Sequence, residues 1–207
     1  IAKAVSYSSD GGLEHGVGVS PSEKYLRLTT GIATAATALP LTMILCDYLL
    51  YYPSIDDSVL DEQIMDNTVT LPRYTDGKGV QVIAVSVAGR TGGARFYFTY
   101  TNSDGVSGRT SQIAYQNNSA ALGTLQNNGK NTNVSANPFL GLQDGDSGVR
   151  SIDSVVMLDA DVGLMTLILV KPLGTSVIRE ITAPAEKDYF LESGVIPRIY
   201  DDAYLSF

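Results

Sequence analysis

The chain has 207 residues, 22 acidic against 14 basic for a net charge of −8, a hydrophobic share of 44% and one cysteine. This length suits one large domain or a domain with an appendage, and no run approaches the ~20 apolar residues of a membrane-spanning helix. The acidic balance argues against nucleic acid as a partner, and a lone thiol excludes an intrachain disulfide, so stability must come from packing.

Taken in chain order, residues 1–20 are Gly- and Ser-rich and are expected to form an N-terminal arm or loop, with residues 21–207 as a single β-rich domain. Tyr25–Leu28 is a short strand candidate. Gly31–Leu39 is ambiguous, because its alanines favour helix while its threonines and the following Pro40 favour a turn. Leu41–Tyr52 is apolar on both faces, as a central, doubly covered strand is, and Pro53 is expected to stop it. Cys46 lies inside this run and reads as a small buried hydrophobe. Ser54–Met65 is acidic and polar and suits one short helix or an ordered loop.

Leu71–Gly79 is a turn-rich connector, and Gly79–Val87 alternates again. Ala94–Thr110 is the most informative stretch. Phe96, Phe98 and Tyr100 fall on one face, with Tyr97, Thr99 and Thr101 on the other, which is the period of a half-buried strand. Asn102-Ser-Asp-Gly105 then turns the chain, and Val106–Ile113 returns as a shorter, more polar strand. Gln116–Pro138 is rich in Asn, Ser and Gly and reads as a long surface loop. Val149–Leu158 and Gly163–Val170 read as two strands of a second hairpin turning at Asp159–Gly163. Short segments spaced by Pro172, Pro184 and Pro197 complete the pattern. Short strands joined by frequent turns predict an all-β fold: an antiparallel β-sandwich or jelly roll with long polar loops and extended arms.

Constellations that carry chemistry are few. Gly145-Asp146-Ser147-Gly148 matches the nucleophile loop of chymotrypsin-like proteases, and His15 is the sole histidine. The surroundings differ: Val149-Arg150 follows instead of Gly-Pro, and His15 lies in Leu13-Glu-His-Gly16, where a general base is poorly held. The plainer reading of Asp144-Gly-Asp-Ser-Gly148 is turn chemistry leading into a strand. One histidine and one cysteine make no nitrogen–sulfur metal site. Asp144 and Asp146, the trio Asp56, Asp57 and Asp61, and the pairs Asp159/Asp161 and Asp201/Asp202 lack calcium-loop spacing. Gly77-Lys-Gly79 is too short for a phosphate loop. Carboxylates are plentiful but unpaired by any spacing, and tryptophan is absent beside 12 tyrosines. The expectation is a protein that is not an enzyme and needs no cofactor or metal. A serine hydrolase using Ser147 and His15 is the remote alternative.

Asp47-Tyr-Leu-Leu-Tyr-Tyr-Pro53, Thr70-Leu-Pro-Arg-Tyr-Thr-Asp-Gly77 and Tyr100-Thr-Asn-Ser-Asp-Gly-Val-Ser-Gly-Arg109 together resemble a family of tailed-bacteriophage virion proteins. Gly148-Val-Arg-Ser-Ile-Asp-Ser154 and Ile199-Tyr-Asp-Asp-Ala-Tyr-Leu205 fit the same resemblance, which covers most of the chain from about Gly31 onward. It implies a head-associated structural protein on the virion exterior, a capsid decoration or cement subunit, and carries over no catalytic residues. The implied partners are the major capsid protein and copies of the chain itself, with a trimer favoured and neither nucleic acid nor membrane. The alternative within the same class is another head, neck or tail component. Tyr51, Tyr52, Arg73, Tyr74, Tyr200 and Tyr204 are the expected interface residues, and the Leu71–Gly79 turn and the Asn-rich loop the expected contact regions. The chain starts at Ile1 and stops within an apolar pattern at Phe207, so trimming at both ends is expected.

Overall fold

The computed structural model describes residues 1–36, 39–117, 121–126 and 137–207. Short elements come first: β1 (Lys3–Ala4), α1 (Tyr7–Asp10), β2 (Lys24–Tyr25) and β3 (Leu28–Gly31). The long β4 (Leu41–Asp56) is followed by β5 (Gln63–Ile64), β6 (Gln81–Ser86) and β7 (Arg95–Asn102). Next come β8 (Arg109–Thr110), β9 (Ala114–Tyr115), β10 (Val149–Met157) and β11 (Leu164–Ile178). The chain closes with β12 (Ala185–Asp188), α2 (Tyr189–Glu192), β13 (Arg198–Ile199) and β14 (Tyr204–Ser206). The fold is all-β, and no helix among the described residues is long and apolar enough to cross a membrane.

In place of an arm and one domain, the chain gathers into two units. The first holds Ile1–Val5 and Leu49–Lys171, the second Ser6–Tyr48 and Pro172–Phe207, and β4 and β11 contribute residues to both. The residues read as an arm are tethered: Lys3 and Ala4 pair with Tyr51 and Leu50 of β4, and Ser6 caps α1 by accepting from the Ser9 amide.

The first unit is an antiparallel sandwich. One sheet has the order β1-β4-β11-β6, and the other β5-β10-β7-β8 with β9 also on β7. Strand β7 alternates as its sequence requires, with Phe96, Phe98 and Tyr100 fully buried and Tyr97, Thr99 and Thr101 half-buried. Those rings share one core with Ile152, Val155 and Met157 of β10 and with Leu49, Val82 and Leu167 of the facing sheet. Inward faces of two sheets thus fill a single layer, the packing expected of a β-sandwich.

Two strand expectations are corrected. Val149–Leu158 and Gly163–Val170 do not form a hairpin, because β10 lies in one sheet and β11 in the other. Asp159–Gly163 is therefore a corner between the layers, and both strands are apolar because each meets the same core. Pro53 does not end β4, which runs on to Asp56. Leu49 accepts from the Val5 amide, so Leu49, Tyr51 and Pro53 all turn their backbone groups toward β1. The β1 register ends at Tyr51, so the missing Pro53 N–H falls beyond the last pair and breaks no bond.

Residues 118–120 and 127–136 of the expected Gln116–Pro138 surface loop lie outside the described residues. Its described residues divide: 121–123, Leu125 and Asn137 are exposed as expected, whereas Gln116 and Gln126 are fully buried. Gln126 lies along the open edge of β6, its amide donating to the Ala84 carbonyl at 2.8 Å and its Nε2 to Ser86 Oγ at 2.7 Å. An edge strand presents unpaired backbone groups, and here polar residues satisfy them.

The second unit is built of small ladders. β14 pairs with the Cys46–Tyr48 part of β4, β12 with β3, and β13 with β2, all antiparallel. Its buried apolar residues include Leu26, Leu45, Leu173 and Leu205, and none belongs to the sandwich core.

Candidate functional site

The protease-like signature folds into a cross-linked corner of the first unit. Asn102 starts the turn after β7: its Oδ1 accepts from the amides of Asp104 and Val106 at 3.0 and 2.9 Å. Gly105 takes φ +81°, which few other residues adopt without strain. β8 then returns with Arg109 opposite Tyr100. This register brings Tyr100, Asn102 and Arg109 onto one carboxylate, that of Asp146. Its Oδ2 accepts from the Tyr100 hydroxyl at 2.5 Å and from Arg109 Nε at 2.9 Å, and its Oδ1 from Asn102 Nδ2 at 2.7 Å.

Burial alone raises the Asp146 pKa, but the bonds from Arg109, Tyr100 and Asn102 outweigh it and hold the carboxyl below its ordinary range. Burial, with the bond to Asp146, pushes the Tyr100 hydroxyl up to about 12. An ionised aspartate facing a neutral phenol and a guanidinium is a lock, with both carboxylate oxygens in use.

Ser147 has no base in reach among the described residues. Its Oγ lies 3.0 Å from Ser103 Oγ, and its carbonyl accepts from the Gly79 amide. The His15 ring is committed in the second unit, where Nε2–H donates to the Ala203 carbonyl at 2.9 Å. Gly148 is required by close approach: a Cβ there would collide with the Gly77 carbonyl oxygen. Gly77 in turn has φ +70° and no room for a side chain against the Val149 carbonyl. Both glycines serve the backbone crossing of the 74–79 turn and the start of β10, where Lys78 and Gly148 form a bridge.

Arg150 ties the corner together. Its Nη2 donates to the Ser103 carbonyl at 2.6 Å and its Nε to the Asp76 carbonyl at 3.2 Å, so one guanidinium holds two turn tips. Beside it opens a hollow of ~360 Å³ lined by Asn67, Val69, Leu71, Thr75, Thr101 and Arg150. Asn67 is already in use, accepting from the Tyr52 hydroxyl at 2.9 Å and donating to the Ile152 carbonyl at 2.9 Å.

The expected interface residues have mixed placements. Tyr52 and Arg73 are corrections: both are buried, with Tyr52 bonded as above and Arg73 Nη2 donating to the Val5 carbonyl at 3.1 Å. Buried side chains spent on internal bonds offer no surface to a partner. Tyr51 is half-buried opposite Lys3, and Tyr74 lies under Lys171 Nζ, 5.4 Å from the ring centroid. In the second unit the Arg198 guanidinium stacks 4.5 Å from the Tyr200 ring. Tyr204 meets the Tyr48 ring edge-on at 5.8 Å.

Asp159, Asp161 and Asp201, among the aspartates considered for cations, are occupied as caps and ion pairs. Asp159 pairs with Arg95 at 2.6 Å, which lowers its pKa to about 2. Asp161 accepts from the Gly92 and Val162 amides at 2.6 and 2.7 Å. Asp201 accepts from the Val19 and Ser20 amides and pairs with Lys24. Among the described residues, no three His, Cys, Asp or Glu side chains converge as metal ligands.

One polar cluster has no sequence signature at all. Asp57 Oδ2 lies 3.1 Å from Arg90 Nη2, and both side chains are wholly buried. Arg90 also donates to the Leu164 carbonyl at 3.1 Å. Burial raises the Asp57 carboxyl to about 6 against the opposing pull of Arg90. Acidic turns look alike in sequence, and only the fold reveals that this one faces inward.

With this geometry established, the chain was compared with protein-family models, characterised proteins and solved structures. None matches it. The reading of the site therefore rests on its own chemistry: rigid cross-links between turns, with the reactive-looking groups consumed in holding them.

Proposed function

We propose that the chain is a structural protein of a tailed-bacteriophage virion, a decoration or cement subunit on the head exterior that binds the major capsid protein. The resemblance of segments 47–53, 70–77, 100–109, 148–154 and 199–205 to that class supports the reading. The structural observation that carries it is the distribution of exposed apolar side chains. Of 23 exposed large apolar residues among those described, 12 lie in the second unit, which holds fewer than half of the residues. A rigid sandwich joined to a unit rich in exposed apolar groups suits adhesion, since burying apolar surface yields roughly 25 cal/mol per Å². Repetition over a symmetric shell multiplies weak contacts into avidity. The net charge of −8 suits an exterior position away from packaged nucleic acid.

The test is to prepare heads with and without this protein and measure their thermal and osmotic rupture. Heads carrying it are expected to rupture at higher temperature. Identical rupture, or absence of the chain from finished particles, would count decisively against the proposal.

A further inference from the structure

The second unit carries an apolar knob beside a hollow of mixed lining, whose apolar members include Leu13, Leu28, Leu45, Leu205 and Phe207. The knob is α2. Asp188 caps it, its Oδ1 accepting from the Phe190 and Leu191 amides at 2.9 and 3.1 Å. Glu192 Oε1 accepts from the Asp188 amide at 3.0 Å, closing a reciprocal capping box. This one-turn helix is therefore pinned, yet Phe190 is 67% exposed, Leu191 77% and nearby Val195 80%. Capping bonds that hold a phenyl and an isobutyl group in water make a presented surface, unlike a scattered exposed leucine.

The hollow begins at the knob's base. Asp188 pairs with Leu28 across the β3–β12 ladder. Leu28 lines a cavity of ~340 Å³ together with Leu13, Tyr25, Leu45, Leu205 and Phe207. An apolar cavity of ~150 Å³ takes up one benzene ring, so this one has room for a ring and an aliphatic group together. One opposite-charge pair, Glu192 on the knob and Arg27 on the rim, is available to the contact. Asp188 and Glu192 make the knob negative, with Lys187 turned onto the Tyr189 ring at 5.1 Å. The hollow's rim carries Arg27, whose side chain is 81% exposed and only loosely paired with Asp188 at 3.8 Å, along with His15 and Glu14.

We propose that Phe190 and Leu191 of one copy seat in the Leu13–Leu28–Phe207 hollow of a second copy, with Glu192 meeting Arg27 at the rim. Knob and hollow on one unit allow the contact to be returned across a two-fold axis or passed round a closed ring. This deepens the cement reading above and rests on the expectation that copies of the chain are among its partners.

The test is sedimentation velocity and light scattering of the whole chain over a dilution series. The expected result is a concentration-dependent closed oligomer. Phe190→Asp should weaken it by roughly 30-fold or more, as loss of a buried aromatic anchor does, while the melting temperature at dilutions where both chains are monomeric stays unchanged. Arg27→Glu should weaken it by about 10-fold, and Arg27→Lys, which keeps the charge, should retain most of the association. A wild-type chain that stays monomeric, or a Phe190→Asp chain that associates as tightly as the wild type, overturns the proposal. Heads stabilised by a monomer would defeat self-pairing while sparing the cement reading. Oligomers that leave rupture unchanged would do the reverse.

Discussion

The Tyr100 hydroxyl donates to Asp146 Oδ2 at 2.5 Å, so the last core ring of β7 is tied directly to the Gly145–Gly148 segment. Arg109 and Asn102 complete the same carboxylate, which joins β7, β8 and the Gly145–Gly148 segment through one side chain. Asp146→Asn keeps the shape but removes the charge and misdirects one donor, and is expected to cost about 2 kcal/mol. The Asp146 carboxyl is held below its ordinary value of 3.8, so its contribution is present above that pH and lost as pH falls through the folded value. Chemical denaturation at pH 7 and at a series of pH values below 3.8 checks both points: the wild type's advantage over Asp146→Asn should shrink progressively as the pH falls.

Ser147 and Gly148 should respond in opposite ways. Ser147→Ala removes one hydroxyl contact to Ser103 and should change stability by less than about 1 kcal/mol. Gly148→Ala drives a methyl group into the Gly77 carbonyl and should cost about 2–3 kcal/mol through overpacking. Thermal melts of the two variants decide the matter. A damaging Ser147→Ala beside a silent Gly148→Ala would refute the structural reading of this motif.

The Asp57–Arg90 pair should be costly to break from one side. Asp57→Ala leaves a buried guanidinium uncompensated and is expected to cost about 3–5 kcal/mol, whereas replacing both residues by Leu and Met should recover most of the loss. Folding raises the Asp57 pKa from 3.8 to about 6, so the folded state favours its protonated form. The stabilisation from that proton is full below about pH 4 and is lost as pH rises through 6. Unfolding free energies measured from pH 4 to 7 should show this slope in the wild type and lack it in Asp57→Asn.

Cys46 offers a probe of local opening. It is buried, and burial, helped by Asp47, pushes its thiol up to about 12. The thiolate is the reactive form, so an alkylating reagent at pH 8 should label the folded chain slowly and the denatured chain at once. Rapid labelling of the folded protein would show that β4 opens locally around Cys46.

The all-β class, a sandwich or jelly roll, was legible in the sequence, because side-chain sidedness is local. Phe96, Phe98 and Tyr100 alternate with Tyr97, Thr99 and Thr101 in sequence, and a pleated strand must put them on opposite faces whatever its neighbours are. The Asn102–Gly105 turn was equally legible, since asparagine bonds its own backbone and glycine accepts positive φ. Partner choice was not legible. Nothing in Val149–Leu158 or Gly163–Val170 says whether two apolar strands pair with each other or face each other across a core, because both arrangements bury the same residues. Nor does an acidic turn announce that Asp57 will point inward to Arg90 while Asp159 stays outside with Arg95. Those decisions belong to contacts between residues far apart in the chain. Local propensity settles how a segment is shaped, and only long-range packing settles what it touches.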